Sequence, residues 1–188
     1  LLYYPGARII EAQSRPVESS TSALPGVSLN FRNIEIFADK LQVDCNMTAV
    51  RASGRVLVIK GSRRLTCSRL FLPLIAGDGS AIIEQGNALV PVKIKTSDLS
   101  TEKPKNGFAS AQIQMEDLSG APQVITARQI RYFPGEKLQF NRAKFYQDGQ
   151  AIVSLPFYSL NIGSNVLFTD QVVNVGTQGI GLDLPLYY

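Results

Sequence analysis

Four carboxylates that could serve as acid or base lie scattered along the chain: Asp39, Asp44, Glu116 and Asp117. Glycoside hydrolysis needs two such groups facing each other across a cleft, and nothing in their spacing brings two together. Histidine is absent from all 188 residues. That removes the commonest general base and the commonest metal ligand, and it closes the ordinary serine and cysteine hydrolase arrangements. No serine stands in a Gly-x-Ser-x-Gly elbow. Cys45 and Cys67 are the only cysteines, too few for a structural zinc site. They read either as a disulfide in an oxidising compartment or as two buried thiols. Gly77-Asp-Gly79 and Gly176, Gly179 and Gly181 open no helix, so they read as turns and strand glycines, not phosphate loops. Asn46-Met-Thr48 matches a glycosylation sequon that a short turn can carry by chance. The chain is therefore expected to be no enzyme and to need no cofactor or metal.

The remaining chemistry is basic and apolar. Arg55, Lys60, Arg63, Arg64 and Arg69 concentrate around one expected hairpin, and Lys93 and Lys95 fall on an expected edge strand. One reading is protective, because Lys and Arg on strand ends block edge-to-edge pairing. The other is an anionic, phosphate-bearing headgroup held at the rim of an apolar groove by Arg63, Arg64 and Arg69. Nucleic acid is not expected. The net charge of +4 is small, and the aromatics do not interleave with a basic groove.

The elements that must position these groups are strands. The length suits one domain, with room for a short appendage. Residues 13–26, rich in Ser, Pro and Thr, read as a loop after a strand at Ala7–Ala12. Strands are expected at Val27–Phe31, Ile34–Ala38, Lys40–Asp44, Thr48–Ala52, Arg55–Lys60, Arg64–Leu72, Ser80–Gln85 and Ala88–Lys95. Pro91 marks the last as an edge strand or a bulge. Thr96–Gly107 reads as a flexible loop. Phe108–Glu116 alternates apolar and polar residues and reads as a half-buried strand. Val124–Ala127, Gln129–Phe133, Lys137–Phe140, Ala143–Tyr146 and Ala151–Leu155 follow. No window has a helical period, so the fold class is all-β, a sandwich, jelly roll or barrel. No apolar run reaches the roughly 18 residues of a membrane helix, and Leu1-Leu-Tyr-Tyr-Pro5 lacks the basic start and apolar core of a signal peptide.

Several strands are apolar on both faces: Val56-Leu-Val-Ile59, Leu70-Phe-Leu72 and Ala88-Leu-Val90. A sheet packed on one side alternates more cleanly. Either a thick core with a covered exterior or a groove for an apolar ligand would account for them. A pattern also recurs: Ala38-Asp-Lys-Leu-Gln-Val43, Cys67-Ser-Arg-Leu-Phe-Leu72 and Ala127-Arg-Gln-Ile-Arg-Tyr132. Roughly 30 residues separate the first two copies, a stacked-repeat period.

The unit Ala38-Asp-Lys-Leu-Gln-Val-Asp44 followed by Gly54-Arg-Val-Leu-Val58 resembles the OstA-like domain of the LptD-LptA family of lipopolysaccharide-transport proteins. The likeness runs from Ile34 to Tyr146, with Val43 where an aromatic is common. Gly149-Gln-Ala-Ile-Val-Ser-Leu-Pro-Phe-Tyr158 is similar to the end of that family's jelly roll, with Ala151 in place of its usual proline. Gly176–Tyr188 is similar to its first barrel strand. The resemblance implies a V-shaped OstA-type β-jelly roll over residues 27–155. Before it, 1–26 form an N-terminal strand and loop; after it, 156–188 resemble the entry to an outer-membrane barrel. It implies non-catalytic binding of lipopolysaccharide or a related amphipathic glycolipid at the periplasmic face of the outer membrane. Other jelly-roll transport proteins would join by edge-strand addition. The expected apolar lining is Leu41, Val43, Val56, Val58, Leu70, Leu72, Ile82, Ile130, Tyr132, Phe140 and Phe145. The alternative is a structural β-repeat of the cell envelope that binds only protein.

Overall fold

The structure is a computed structural model that describes residues 1–14, 26–74, 79–95, 98–101, 110–163, 173–176 and 179–182. Among them there are sixteen strands, one 3-10 helix at Ser110–Ile113 and no α-helix. The all-β expectation holds. The strands are β1 (Leu2–Tyr4), β2 (Ile9–Gln13), β3 (Val27–Phe31), β4 (Ile34–Ala38), β5 (Lys40–Asp44), β6 (Ala49–Lys60), β7 (Arg63–Pro73) and β8 (Gly79–Gln85). Then come β9 (Ala88–Lys95), β10 (Asp98–Thr101), β11 (Gln123–Thr126), β12 (Gln129–Phe133), β13 (Lys137–Gln147), β14 (Gln150–Asn161), β15 (Val173–Gly176) and β16 (Gly179–Leu182).

Fourteen strands form one antiparallel sheet, and β15–β16 is a separate hairpin. Two halves of the large sheet share one plan. In the first half the long strand β6 pairs along its start with β5 and along its end with β4, while β7 covers its other flank. In the second half β13 pairs along its start with β12 and along its end with β11, and β14 covers the other flank. The small residue that leads the sequence pattern sits at the break between the two short strands in both halves. Ala38 is 0% exposed and Ala127 8%, and a larger side chain would not fit against the core. The middle copy, Cys67–Leu72, lies instead within the unbroken strand β7.

Both long strands were expected as two pieces. Each is continuous but kinked where its neighbour changes. The β6–β7 register slips between Ser53 and Val56, and Gly54 there has φ +90°. Arg142 takes φ 54° at the matching point of β13. The residue beside the first kink is Asp39. Its carboxylate accepts the Arg55 backbone N–H at 3.0 Å and the Arg55 guanidinium at 2.9 Å, and these hydrogen bonds hold its carboxyl below the usual range. A Cβ at Gly54 would come 2.5 Å from Asp39 Oδ2. Gly54→Ala is therefore expected to cost about 1–3 kcal/mol through left-handed backbone strain and the displaced carboxylate. An unchanged urea midpoint would contradict this.

The hairpin β1–β2 joins the halves, because β2 pairs β5 and β1 pairs β11. The main core lies on one face of this sheet. Tyr3, Phe140, Tyr158 and Phe145 form an aromatic chain within it, with ring centroids 5.0–5.6 Å apart. On the opposite face Ala49, Phe71 and Ile82 meet Ile113 in a smaller apolar cluster.

Ile113 belongs to the stretch expected as a half-buried strand, and here the structure corrects the sequence reading. Residues 110–113 form a 3-10 turn and 114–118 an irregular strap; Phe108 and Ala109 lie outside the described residues. The alternation is real, since Ile113 is buried and Gln112 and Gln114 are exposed. Side chains, not a neighbouring strand, satisfy the strap's backbone. Gln42 donates from Nε2 to the Glu116 carbonyl at 2.8 Å and accepts from the Glu116 N–H at 2.8 Å. Arg51 Nε donates to the Gln112 carbonyl at 3.1 Å. The double-faced strands thus have a covered exterior around Phe71 and Ile82.

Two further expectations change. Asp98–Thr101, within the stretch read as a loop, forms β10 on the flank of β9. Lys93 and Lys95 consequently lie on a strand paired on both sides. Pro91 is tolerated because β10 ends opposite Val92, one residue short of it.

Candidate functional site

Sheet edges make the site. Strand β3 pairs only with β4, and β12 only with β13, among the described residues. These two edges form the lips of one trough of about 400 Å³. That volume falls within the roughly 300–1,000 Å³ of small-molecule sites. Leu29 and Phe31 contribute from β3, Ile130 and Tyr132 from β12, and Ile10, Ala12, Leu41 and Val43 from β2 and β5. Leu1, Leu74 and Phe133 complete the apolar lining.

The alternation of each edge strand decides what it offers. Leu29, Phe31, Ile130 and Tyr132 are half-buried, whereas Ser28, Asn30, Gln129 and Arg131 are exposed along the lips. The Tyr132 hydroxyl lies 3.4 Å from both the Cys45 carbonyl and the Thr48 hydroxyl. Burial pushes its phenol up from the ordinary value, so it stays neutral. No Asp or Glu lines the trough among the described residues. Arg131, whose side chain is on the exposed face of β12, is the one residue with a charged side chain among the lining residues described.

Of the residues expected to form the lining, Leu41, Val43, Ile130 and Tyr132 meet in this trough. Val56, Val58, Leu70, Leu72, Phe140 and Phe145 are packed in the main core, all at 3% exposure or less. Ile82 is on the opposite face under the strap. The expected phosphate contacts stand elsewhere. Arg63 and Arg64 are exposed beside the β6–β7 turn. Arg69 is spent on Glu84, at 3.3 Å. None of the three lines the trough.

Sequence reasoning missed Ile10, Leu29, Phe31 and Phe133. Their alternation was visible, most clearly in Val27-Ser-Leu-Asn-Phe31, but the folding of β3 towards β12 was not.

The scattered carboxylates are engaged. Asp39 holds Arg55, and Asp44 and Glu116 hold Arg51 at 3.3 and 3.4 Å. Asp117 accepts the Ser119 N–H at 3.1 Å, and that bond lowers its carboxyl. Cys45 and Cys67 are free, and burial pushes both thiols up to about 12. They are therefore protonated at neutral pH and poor nucleophiles. The arrangement can exclude water from an apolar chain and present polar groups at its edges. No protein-family model matches this chain, and no curated protein does.

Proposed function

We propose that this chain is a non-catalytic lipid-binding β-jelly roll of the V-shaped OstA type. It would take up lipopolysaccharide, or a related amphipathic glycolipid, at the periplasmic face of the outer membrane and pass it on. The observation that carries the reading is the apolar trough between the β3 and β12 edges. An acyl chain in water costs about 0.8 kcal/mol per exposed CH₂, so a carrier needs a dry surface that stays open. A filled sandwich has no such surface. The repeated plan of the two halves supports the same reading, because stacking such units would extend one trough into the next.

Photo-crosslinking tests it. A benzophenone side chain at Leu29 or Ile130 is expected to capture lipopolysaccharide, and one at core residue Val58 is not. Silence at both trough positions would overturn the proposal.

A second reading, a cell-envelope module that binds only protein, is favoured by β14. This strand is twelve residues long and pairs on one flank only among the described residues. Its Phe157 is 59% exposed. On that reading a fluorescent lipid probe finds nowhere to bind.

A further inference from the structure

We propose that the outer face of β12, β13 and β14 docks on a bilayer surface rich in anionic lipid, with Phe133 and Phe157 entering the headgroup layer. The choice of a membrane over an acidic protein rests on the lipid-binding reading above.

Register decides which side chains share this face. Ile130, Phe140 and Tyr158 form one row across the three strands, and Tyr132, Leu138 and Leu160 form another. Phe140 and Leu138 are sealed in the core, so both rows point inward. The alternate rows point out. They are Phe133 with Lys137 and Asn161, Arg131 with Gln139 and Ser159, and Gln129 with Asn141 and Phe157. Further along β13, Lys144 is exposed on the same side, since its neighbour Phe145 is buried.

Charge collects there. The three strands contain four of the chain's 19 Lys and Arg, namely Arg131, Lys137, Arg142 and Lys144, and none of its 15 Asp and Glu. The rest of the chain is electrically balanced, so the whole net charge of +4 sits on these strands. None of the four is ion-paired among the described residues, whereas Lys40, Arg51, Arg55 and Arg69 all are. The nearest acids in sequence, Glu136 and Asp148, stand in the turns at either end of β13.

The apolar groups are placed to reach a surface. Phe157 is 59% exposed and Phe133 37%. They stand at opposite corners of the patch, two strands and four residues apart, roughly 17 Å at the backbone. Rings that far apart cannot stack successive bases, which sets nucleic acid aside. Lys137 Nζ lies 5.4 Å from the ring centroid of Phe133. A ring flanked by a long cation suits a membrane interface, where the ring enters the acyl boundary and the ammonium stays with the phosphates. In the first half the strap covers the matching face over Phe71 and Ile82. The two halves share a plan and differ in what they show outside.

Strand β12 joins the two roles. One of its faces gives Ile130 and Tyr132 to the trough, and the other carries Arg131 and Phe133. A docked chain would hold the lip of the trough one strand's width from the lipids.

Co-sedimentation of the full chain with vesicles tests this. Mixed phosphatidylglycerol–phosphatidylcholine vesicles should pull it down, pure phosphatidylcholine vesicles should not, and high salt should release it. Arg131→Gln and Lys137→Gln should each weaken binding about fivefold, the factor for one basic side chain at an anionic surface. Arg64→Gln, on the first half, should change little. Phe157→Trp reports insertion in a chain with no other tryptophan. Its emission should shift to the blue and be quenched by lipids brominated near the headgroup.

Equal binding to neutral and anionic vesicles, or unchanged binding in both Gln variants, would overturn the charged docking face. An unshifted indole on bound vesicles would overturn insertion. Capture by heparin without vesicle binding would make the partner a polyanion instead of a membrane and overturn the proposal. Leu29→Trp, which fills the trough from the other lip, should still sediment. Vesicle binding without lipid capture at Leu29 or Ile130 would sink only the lipid-carrying reading. Capture there without vesicle binding would sink only the docking face.

Discussion

Arg51→Ala is expected to lower the unfolding free energy by about 3–5 kcal/mol, the range for breaking a buried ion pair from one side. The Arg51 side chain is 7% exposed, and it meets Asp44 Oδ2 at 3.3 Å and Glu116 Oε1 at 3.4 Å. The two partners are not equal. Glu116 is 46% exposed and can turn to water, so its loss costs little. Asp44 is 7% exposed. It keeps two backbone donors, from Asn46 and Met47 at 2.9 Å each, but loses the Arg51 guanidinium. The strap loses its hydrogen bond to the Gln112 carbonyl at the same time, and with it part of the lid over Phe71 and Ile82. Urea unfolding measures the total. Adding Asp44→Asn removes the stranded charge and should recover a substantial share of the loss. If the single variant costs under about 1 kcal/mol, the cluster is not the clamp described here.

That cluster shows where the sequence was legible and where it was not. The short strands β3, β4, β5, β9 and β12 were readable to the residue, because turn residues and alternation bracket each of them. The long strands were read as broken at residues 53–54 and 141–142, where Gly54 and Arg142 take positive φ. They are kinks inside continuous strands, and only the change of neighbour from β5 to β4 and from β12 to β11 explains them. The Phe108–Glu116 pattern predicted the burial of Ile113 correctly and the backbone wrongly, since alternation says which side chains face the core and not what satisfies the amides. A Gln42 side chain standing in for a strand cannot be seen locally. The trough suffered the same limit. Leu41, Val43, Ile130 and Tyr132 were singled out as apolar strand residues, but so were six residues of the closed core. Separating them requires knowing which strands are edges, and that is a property of the whole sheet.

Filling the trough is expected to weaken acyl-chain binding by about 50-fold while leaving the fold intact. Leu29→Trp and Ile130→Trp each place a larger ring between the lips. If the indole displaces about three methylenes of the ligand, at about 0.8 kcal/mol each, the loss is roughly 2.4 kcal/mol. At about 1.4 kcal/mol per tenfold, that is the stated factor. Stability should barely change, because both residues are half-buried on strands paired on one side among the described residues and the added surface projects into the trough instead of a packed core. The chain contains no tryptophan, so each introduced indole also reports its own surroundings. Its emission should be blue-shifted in the apolar trough, and a residual ligand should perturb it. Probe displacement and thermal melting on the same samples separate the causes. Lost binding with a melting temperature within a few degrees of the parent locates the lipid between β3 and β12. Parent-like affinity in both variants would place the lipid elsewhere, because a chain lying in a slot of this volume cannot share it with an indole.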